Sequence, residues 1–327
     1  GTVTIGAVEK YITDTAWENG WVKPIEVTEE KTQSIGIIGA GPGGLAAAEQ
    51  LRKKGYQVHV YDRYDRVGGL LIYGIPNFKL DKEIVERRSK LLSDGGIHFH
   101  LNFTVGEDAT LEELRAKHDA VLIATGVYKA RPLQIPGAGM AGVYPAMTYL
   151  TASNRKGLGD KVDAFESGDL DAAGKNVVVI GGGDTAMDCV RTAVRQGANS
   201  VKCLYRRDRD NMPGSMREVE HAEEEGVEFK WLAGPKALTG HGEEGADRVK
   251  QVKAIRMRLG LPDSSGRQRP EEVPNSEYAM DADIVIAALG FDPEDLPTLF
   301  GASELQVSRW GTIQADFRTL MTNLDGV

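Results

Sequence analysis

The hydrophobic positions of this chain form short apolar runs that alternate with longer segments of helical spacing. One apolar run covers residues 35–38, an alanine-rich segment follows to about residue 54, and a second run covers residues 57–61. Short apolar runs bounded by turn residues are typical of buried strands, whereas a segment of several turns between them is typical of a helix. The pattern therefore predicts a strand, a helix and a second strand parallel to the first.

The same pattern begins again about 140 residues later, with apolar runs at residues 176–180 and 201–205 around a helical segment at 185–195. This repeat indicates two copies of one structural unit. The charged stretch at residues 243–269 is predicted to form a hairpin with a solvated tip. Further strands are predicted at residues 97–101, 120–124, 227–231 and 284–289, and further helices at 81–93, 111–117 and 215–225.

A glycine-rich turn joins the first strand to its helix, and its residues are Gly39, Gly41, Pro42, Gly43 and Gly44. In a GxGxxG turn the first glycine permits the tight turn, the second lets a pyrophosphate approach the backbone, and the third lets the helix pack on the strand. The phosphates then bind free amides at the helix N-terminus. Asp62 follows the second strand, where a carboxylate can accept hydrogen bonds from ribose hydroxyls. These residues predict a dinucleotide site.

A second short motif extends the first turn. Pro42, Arg66 and the pair Gly68-Gly69 fit a longer pattern that is found in flavoproteins with two dinucleotides, where a second stretch of backbone closes over FAD. The first nucleotide is therefore predicted to be FAD. Further residues predicted at the cofactor sites are Gly69, Leu70, Thr125, Gly126 and Gly290.

The second copy has its own glycine turn, formed by Gly181, Gly183, Asp184, Thr185 and Ala186. Ala186 stands at the position of the third glycine, a substitution that the fingerprint permits. Arg206 and Arg207, rather than an acidic residue, follow the second strand of this copy. Guanidinium groups there would bind the 2′-phosphate of NADPH, which a carboxylate would repel, so the second nucleotide is predicted to be NADPH. The alternative is that both belong to a solvated basic cluster with Arg209.

Together these motifs predict an α/β fold with two Rossmann-like dinucleotide-binding domains, the second inserted in the first. The strand at 284–289 is interpreted as the return of the chain to the first domain, because its end at Gly290 resembles the end of strand 120–124 at Thr125-Gly126. The predicted domains are an N-terminal arm or linker with little periodicity (residues 1–30), an FAD-binding domain (31–140 plus 285–327) and an NADPH-binding domain (141–284).

Composition and charge narrow the classes of function. The 327 residues are 41% hydrophobic, and no stretch approaches the roughly 20 consecutive apolar residues of a membrane span. The net charge of -9 disfavours nucleic acid and acidic lipid as partners. We expect a cytoplasmic location, because residues 1–10 lack a basic start followed by an apolar core. The start at Gly rather than Met suggests a piece of a longer polypeptide.

No residue of the sequence is assigned to acid–base catalysis or to a metal. Hydride transfer between two cofactors requires alignment more than a proton donor or acceptor. Cys189 and Cys203 match no metal motif and no CxxC, so both are expected to be buried. The six histidines show no mutual pattern with Ser or Asp, so each is expected to be structural or exposed.

Five stretches resemble the small subunit of bacterial NADPH-dependent glutamate synthase. They read IGAGPGGLAAAEQL from Ile38, RVGGLLIYGIPNFKLDK from Arg66, ATG from Ala124, IGGGDTAMDCVRTAVRQGA from Ile180 and YRRDRDNMPGSMREV from Tyr205. The resemblance implies that FAD takes a hydride from NADPH and passes single electrons to iron–sulfur clusters. These clusters feed a large partner subunit, which makes L-glutamate from glutamine and 2-oxoglutarate.

The resemblance also implies that Lys79 lies near the flavin. In that family the cluster-binding cysteines precede the position of Gly1, so iron–sulfur clusters are expected only in that segment, and the chain continues past Val327 into a turn that touches FAD. Three alternatives were considered. One is the electron-input module of another iron–sulfur flavoenzyme, similar to dihydropyrimidine dehydrogenase. Another is a disulfide reductase of the thioredoxin reductase type, but it needs a CxxC near the flavin and the sequence has none. The third is a subunit that binds both nucleotides without turnover.

Overall fold

The computed structural model describes residues 4–241, 248–264, 266 and 268–327, and it confirms the predicted α/β class. The helices are α1 (Ile5–Glu18), α2 (Pro42–Lys53), α3 (Leu70–Tyr73), α4 (Lys82–Asp94), α5 (Leu111–Lys117), α6 (Ala146–Gly157), α7 (Asp163–Glu166), α8 (Asp184–Arg195), α9 (Met216–Glu224) and α10 (Leu296–Leu299). The strands are β1 (Ser34–Ile38), β2 (Gln57–Tyr61), β3 (Ile97–His100), β4 (Ala120–Ile123), β5 (Lys129–Ala130), β6 (Val143–Pro145), β7 (Asn176–Ile180), β8 (Ser200–Leu204), β9 (Glu228–Lys230), β10 (Ala233–His241), β11 (Arg248–Pro262), β12 (Gln268–Asp281), β13 (Ile284–Ala287) and β14 (Phe291–Asp292).

The chain divides into two compact units. The first comprises Gly1–Leu71, Lys82–Gly126 and Asp295–Val327, and the second comprises Ile72–Asp81 and Val127–Glu294. The second unit therefore interrupts the first, as the sequence predicts. Its bounds differ from the predicted NADPH-binding domain, because it takes the short segment Ile72–Asp81 and extends further at both ends of the main insertion. Which nucleotide each unit binds stays a prediction at this point.

The first unit contains a parallel sheet in the order β3-β2-β1-β4. One face of this sheet packs against α2 through Ile37, Val58 and Val60, which are fully buried. Side chains two residues apart share a face of a strand, so His59 and Tyr61 lie on the opposite face. That face is packed with α5 and the residues around α10. The sheet therefore has a layer on each side, and the glycine turn leaves it at the carboxyl end of β1.

The second unit contains a larger parallel sheet in the order β6-β13-β7-β8-β9. Its central strand β7 is buried from Val177 to Ile180, because neighbours cover it on both sides and on both faces. Helix α8 packs into the main core of this unit, and its buried residues run without interruption from Ala186 to Ala193. A helix buried over most of its surface holds the glycine turn ahead of it in a fixed position.

A second sheet of this unit is antiparallel, in the order β10-β11-β12. Strands β11 and β12 form a hairpin, as the charged pattern predicts, although residues 243–247, 265 and 267 of the predicted stretch lie outside the described residues. Strand β10 pairs with β11 only as far as Arg256. Beyond this point β11 and β12 pair with each other up to Pro262 and Gln268, so the distal half of the hairpin extends past the sheet.

The N-terminal arm predicted at residues 1–30 contains α1, and Asp14 and Trp17 contact Arg87 in the same unit. No residue of α1 is buried, so its weak apolar spacing gave little signal. The strand predicted at 284–289 does not return to the first sheet. It forms β13 and pairs with β7, just as β4 pairs with β1. Within the described residues, no helix has the length and apolar character needed to cross a membrane.

Candidate functional site

The first glycine turn lies between β1 and α2 in the first unit. Gly39 has φ of +112°, and a Cβ at this position would overlap the carbonyl oxygen of Ala124. A Cβ at Gly44 would overlap the carbonyl oxygen of Gly39. By contrast, a Cβ on Gly41 or Gly43 would meet no atom within 4 Å. The turn is therefore packed tightly on its inner side and open on its outer side, where a pyrophosphate could approach the backbone.

Helix α2 begins directly behind this opening. Gly41 is its N-cap and Pro42 is its first residue, and no side chain caps the helix. Pro42 has no amide N–H, but those of Gly43 and Gly44 remain available, and together with the positive end of the helix dipole they favour an anion at this point. The residues that the sequence predicts for phosphate binding are thus brought together at one helix N-terminus.

Asp62 lies at the end of β2 and is buried to 9% relative exposure. Its carboxylate accepts hydrogen bonds from the backbone amide of Ala40, at 2.6 Å, and from that of Tyr64, at 2.9 Å. These two amides fix the carboxylate beside the glycine turn. Each oxygen keeps a further lone pair, so the group can still accept from a ribose hydroxyl.

The second glycine pair closes against the first turn. The amide of Gly68 donates to the carbonyl oxygen of Ala40 at 2.9 Å, and Gly69 and exposed Leu70 follow it into α3. Arg66 lies next to this contact and is half-buried. On the other side, the amide of Ala124 donates to Ile38, which places Thr125 and Gly126 next to the turn. The first unit thus assembles the residues predicted for FAD around one opening; their contacts with FAD stay a prediction.

The second glycine turn, between β7 and α8, repeats this geometry in the second unit. Gly181 has φ of +146°, and a Cβ there would overlap the carbonyl oxygen of Ala288, two residues before Gly290. Gly183 is the N-cap of α8, with open space where its Cβ would stand and no side-chain cap. Thr185 is half-buried, and Ala186 is fully buried. Asp184 is exposed, and its carboxylate accepts from the amide of Ser215 at 2.8 Å.

A cavity of about 630 Å³ opens at this second turn. Its volume is in the range of small-molecule and cofactor sites. The wall combines glycine backbone with apolar side chains and three arginines, of which Arg131 forms an ion pair with Asp292. The lining residues that matter for the argument are Gly181, Gly183, Arg206, Arg207, Pro213 and Gly290.

Arg207 carries the clearest sign of a missing ligand. Its Nε is buried and has no hydrogen-bond partner among the described residues. An unsatisfied buried donor costs on the order of 1–3 kcal/mol, so a ligand atom that accepts a hydrogen bond from it would be favoured. Arg206 is exposed at the rim of the same cavity. The pair therefore presents positive charge to whatever occupies the cavity.

Lys79 lies in the segment that joins the second unit. Its Nζ contacts Asp188 Oδ1 at 2.8 Å and Glu218 Oε2 at 3.2 Å. Burial opposes the charge on Lys79, but these two carboxylates outweigh it and raise the pKa of the lysine. Burial also raises the pKa of Asp188, against the effect of the lysine. Lys79 is thus held as a cation by α8 and α9, and the predicted contact with a flavin stays a prediction.

The structure also brings together four histidines that the sequence analysis treated as unrelated. His59 stacks on His98 and His100, with ring centroids 4.9 and 5.3 Å apart, and its ring lies 5.1 Å from that of His118. His118 contacts Ser34 and Tyr61 through its two ring nitrogens. Burial, followed by the neighbouring histidines, lowers the pKa of His59 to about 4. The alternation of side chains along β2 and β3 shows which histidines of each strand share a face. Only the register between the two strands, in which His59 pairs with His98, shows that these histidines are neighbours.

The two cysteines are buried and unpaired, as predicted. Burial raises the pKa of both thiols, that of Cys203 to about 12. A thiol with a raised pKa is a poor nucleophile at neutral pH. This excludes Cys189 and Cys203 as the redox pair of a disulfide reductase.

Comparison with known proteins agrees with this geometry. Residues 33–327 match the family described as pyridine nucleotide-disulphide oxidoreductase, and the chain belongs to that family. The fold is similar to that of FprA from Mycobacterium tuberculosis, with a TM-score of 0.69 at 20% identity over 82% of this chain and 73% of that one. A thioredoxin reductase of Lactococcus lactis gives a TM-score of 0.62 at 20% identity over 90% of this chain and 88% of that one.

Curated relatives define the group within this family. The chain is 64% identical over all 327 residues to the glutamate synthase [NADPH] small chain of Azospirillum brasilense, and it covers 67% of that protein. It is 64% identical over the same length to a putative glutamate synthase [NADPH] small chain of Cereibacter sphaeroides, of which it covers 77%. The chain therefore groups with the glutamate synthase small chains, and it spans about two thirds to three quarters of their length.

Proposed function

We propose that this chain is the electron-input module of an NADPH-dependent glutamate synthase. In this proposal the first unit binds FAD, the second unit binds NADPH, and the pair acts as an NADPH-dependent flavin oxidoreductase. The observation that carries the proposal is the pair of glycine turns, each open at a helix N-terminus but followed by opposite charges. Asp62 follows the first, and Arg206 and Arg207 follow the second.

The residues of the first unit fit FAD. A pyrophosphate would be held by the open backbone at Gly41 and Gly43 and by the uncapped N-terminus of α2. The carboxylate of Asp62 would accept from the ribose, because its two backbone donors already fix its orientation. The flavin supplies a two-electron acceptor that can release electrons one at a time.

The residues of the second unit fit NADPH. Gly183 and the N-terminus of α8 would bind the pyrophosphate, and the cavity at the turn would hold the nucleoside. The buried Nε of Arg207 lacks a partner that a phosphate oxygen would supply. A carboxylate at this position would repel the 2′-phosphate, so these arginines favour NADPH over NADH.

No acid or base is required of this chain. Hydride transfer depends on holding two rings in line and on excluding water, so the side chains that matter are those that position the nucleotides. Further steps rest on the resemblance of the five sequence stretches to the glutamate synthase small subunit and on the names of the relatives. We propose that electrons pass through iron–sulfur clusters, held outside this chain's residues, to a large subunit that makes L-glutamate in the cytoplasm.

A second candidate has support from other relatives. The chain is 46% identical over 316 residues to the putative oxidoreductase AegA of Escherichia coli and covers 47% of it. It is also 38% identical over 314 residues to the beta subunit of an NADP(+)-dependent formate dehydrogenase of Moorella thermoacetica. The same two-nucleotide module therefore occurs in proteins of other names, so the final electron acceptor could be one other than a glutamate synthase large subunit.

Anaerobic reduction of the bound flavin tests the proposal. The full chain is reconstituted with FAD, and the visible flavin absorbance is followed after addition of NADPH or NADH. We expect rapid bleaching by NADPH and much slower bleaching by NADH, with the difference reduced in a variant carrying Arg206→Gln and Arg207→Gln. If FAD stays bound but neither nucleotide bleaches it, the chain is at most a subunit that binds nucleotides without turnover, and the proposed activity is wrong.

A further inference from the structure

The distal half of the β11–β12 hairpin extends past the sheet that anchors it. This half pairs Met257–Leu259 with Pro270–Glu272, and Lys236 of β10 contacts Glu272 at its base at 2.9 Å. The same half brings Arg269 and Pro270 to the wall of a second cavity, of about 410 Å³. Arg206 and Arg207 also line this second cavity, and both of them line the cavity at the glycine turn as well. The two arginines therefore stand where the two cavities meet.

We propose that Arg269 is a third ligand of the 2′-phosphate of NADPH and a determinant of nucleotide specificity. This inference rests on the proposed function, because it assigns a residue to the nucleotide site of the second unit. It adds a residue far from the glycine motif, on an element that the dinucleotide fingerprint does not include.

The charges around the second cavity support an anion there. Three guanidinium groups and one carboxylate, that of Asp263, line it. The arginines of this cavity therefore outnumber its carboxylate by three to one. Like charges brought together repel one another, and a phosphate that carries close to two negative charges removes that repulsion. Guanidinium groups match phosphate oxygens in geometry as well as in charge.

The state of the individual arginines agrees with this assignment. The buried Nε of Arg207 lacks a partner among the described residues. Arg269 is exposed, and among the described residues no carboxylate forms an ion pair with it. Arg258 on the neighbouring strand differs, because its Nε contacts Glu271 at 3.1 Å across the hairpin. Of these two hairpin arginines, Arg258 has a protein partner and Arg269 is available to a ligand.

Binding measurements on the full chain test this assignment. The probes are NADPH, NADH, 2′,5′-ADP and 5′-AMP, each titrated calorimetrically. We expect Arg269→Gln to weaken the binding of NADPH and of 2′,5′-ADP about tenfold, the loss of one exposed charge-assisted contact, while NADH and 5′-AMP change by less than about twofold. Arg269→Lys should retain part of the affinity, because it keeps the charge but loses the planar fork.

Arg258→Gln is the matched control, since it removes a guanidinium group from the same hairpin and should leave all four affinities unchanged. Retained binding of 5′-AMP shows that each variant is folded. If Arg269→Gln binds NADPH as the unmodified chain does, while Arg206→Gln with Arg207→Gln loses the preference, the role of Arg269 is wrong and the proposed function stands. If the unmodified chain shows no preference for 2′,5′-ADP over 5′-AMP, both the NADPH assignment and the role of Arg269 are wrong.

Discussion

The two glycine turns of this chain have the same backbone plan, but the copies differ at the third glycine position and at the residue that follows the second strand. At the third glycine position the first turn has Gly44, where a Cβ would overlap the carbonyl oxygen of Gly39, whereas the second turn has Ala186, which is fully buried. After the second strand, the first copy has Asp62, while the second copy has Tyr205, which is also buried. Asp62 and Tyr205 are equivalent by backbone hydrogen bonding. The amide of Gly39 donates to the carbonyl oxygen of Tyr61, just before Asp62, and the amide of Gly181 donates to that of Leu204, just before Tyr205.

The difference separates two properties of a dinucleotide site. The turn and the helix N-terminus offer backbone amides to a pyrophosphate in both copies, so they do not distinguish one dinucleotide from another. The strand end makes that distinction. A carboxylate fixed by two amides suits ribose hydroxyls, whereas a tyrosine followed by two arginines leaves the strand end without that carboxylate and adds positive charge there.

The largest expected effect comes from giving the first turn the residue of the second. In Gly44→Ala the new methyl group would overlap the carbonyl of Gly39, so the backbone of the turn must move. We expect the free energy of unfolding to fall by about 3 kcal/mol and the FAD content to fall with it. Urea denaturation and the flavin-to-protein ratio measure both effects.

Gly6→Ala is the control for Gly44→Ala, because it adds a methyl group in α1 of the same unit, where nothing lies within 4 Å. Its stability should not fall. A Gly44→Ala protein with unchanged stability and full FAD content would show that the close packing at this turn is not required.

The next largest effect is expected at Arg207, whose buried Nε follows the second strand of the second copy, where the first copy has no arginine at the same position. In Arg207→Met the unsatisfied Nε disappears, so without ligand we expect the free energy of unfolding to rise by about 1 kcal/mol. NADPH affinity should fall at least about tenfold, since a charge-assisted contact is lost, while NADH affinity should hold. Thermal unfolding without nucleotide measures the change in stability, and thermal unfolding with each nucleotide measures the change in affinity. A protein that loses stability and keeps its NADPH affinity would contradict a ligand-binding role for Arg207.

Features of the fold and of the site that depend on residues close together in the sequence could be predicted. Features that depend on residues far apart in the sequence could not. Glycines that adopt positive φ or allow close backbone approach form a short motif in the sequence. Both turns and their helices could therefore be predicted. Helix α1 was missed because it buries no residue and its apolar spacing is weak. The hairpin was predicted from local charge, but its approach to Arg206 was not, because strand length and pairing decide where Arg269 lies.

The histidine cluster of the first unit was missed for the same reason, and it has no counterpart in the residues around the second turn. Burial, followed by the neighbouring charges, lowers the pKa of His59 to about 4 and also lowers the pKa of His100 and His118. Below pH 6.5 the unfolded chain takes up protons that the folded chain does not, so stability is lost as the pH falls from about 6.5 towards 4.

Replacing His59 sharpens this contrast. In His59→Gln we expect the loss of stability between pH 7 and pH 5 to be smaller than in the unmodified chain by about 1 kcal/mol, a value reduced for solvent screening. Urea denaturation at the two pH values measures the difference. His221→Gln, a change in α9 of the second unit, is the control and should follow the unmodified chain. Equal pH dependence in all three proteins would show that the cluster is not linked to folding.

The smallest effect is expected from the reverse exchange, Ala186→Gly. The second turn accommodates the methyl group of Ala186 in the core, so its removal leaves only a small void. Glycine in a helix costs about 1 kcal/mol relative to alanine, and the free energy of unfolding should fall by about that amount. NADPH affinity should not change, because the amides at the helix N-terminus keep their positions. If Ala186→Gly were to destabilise the chain as strongly as Gly44→Ala, the third position would be equally constrained in both copies, and the difference between the turns would lie only at the strand ends.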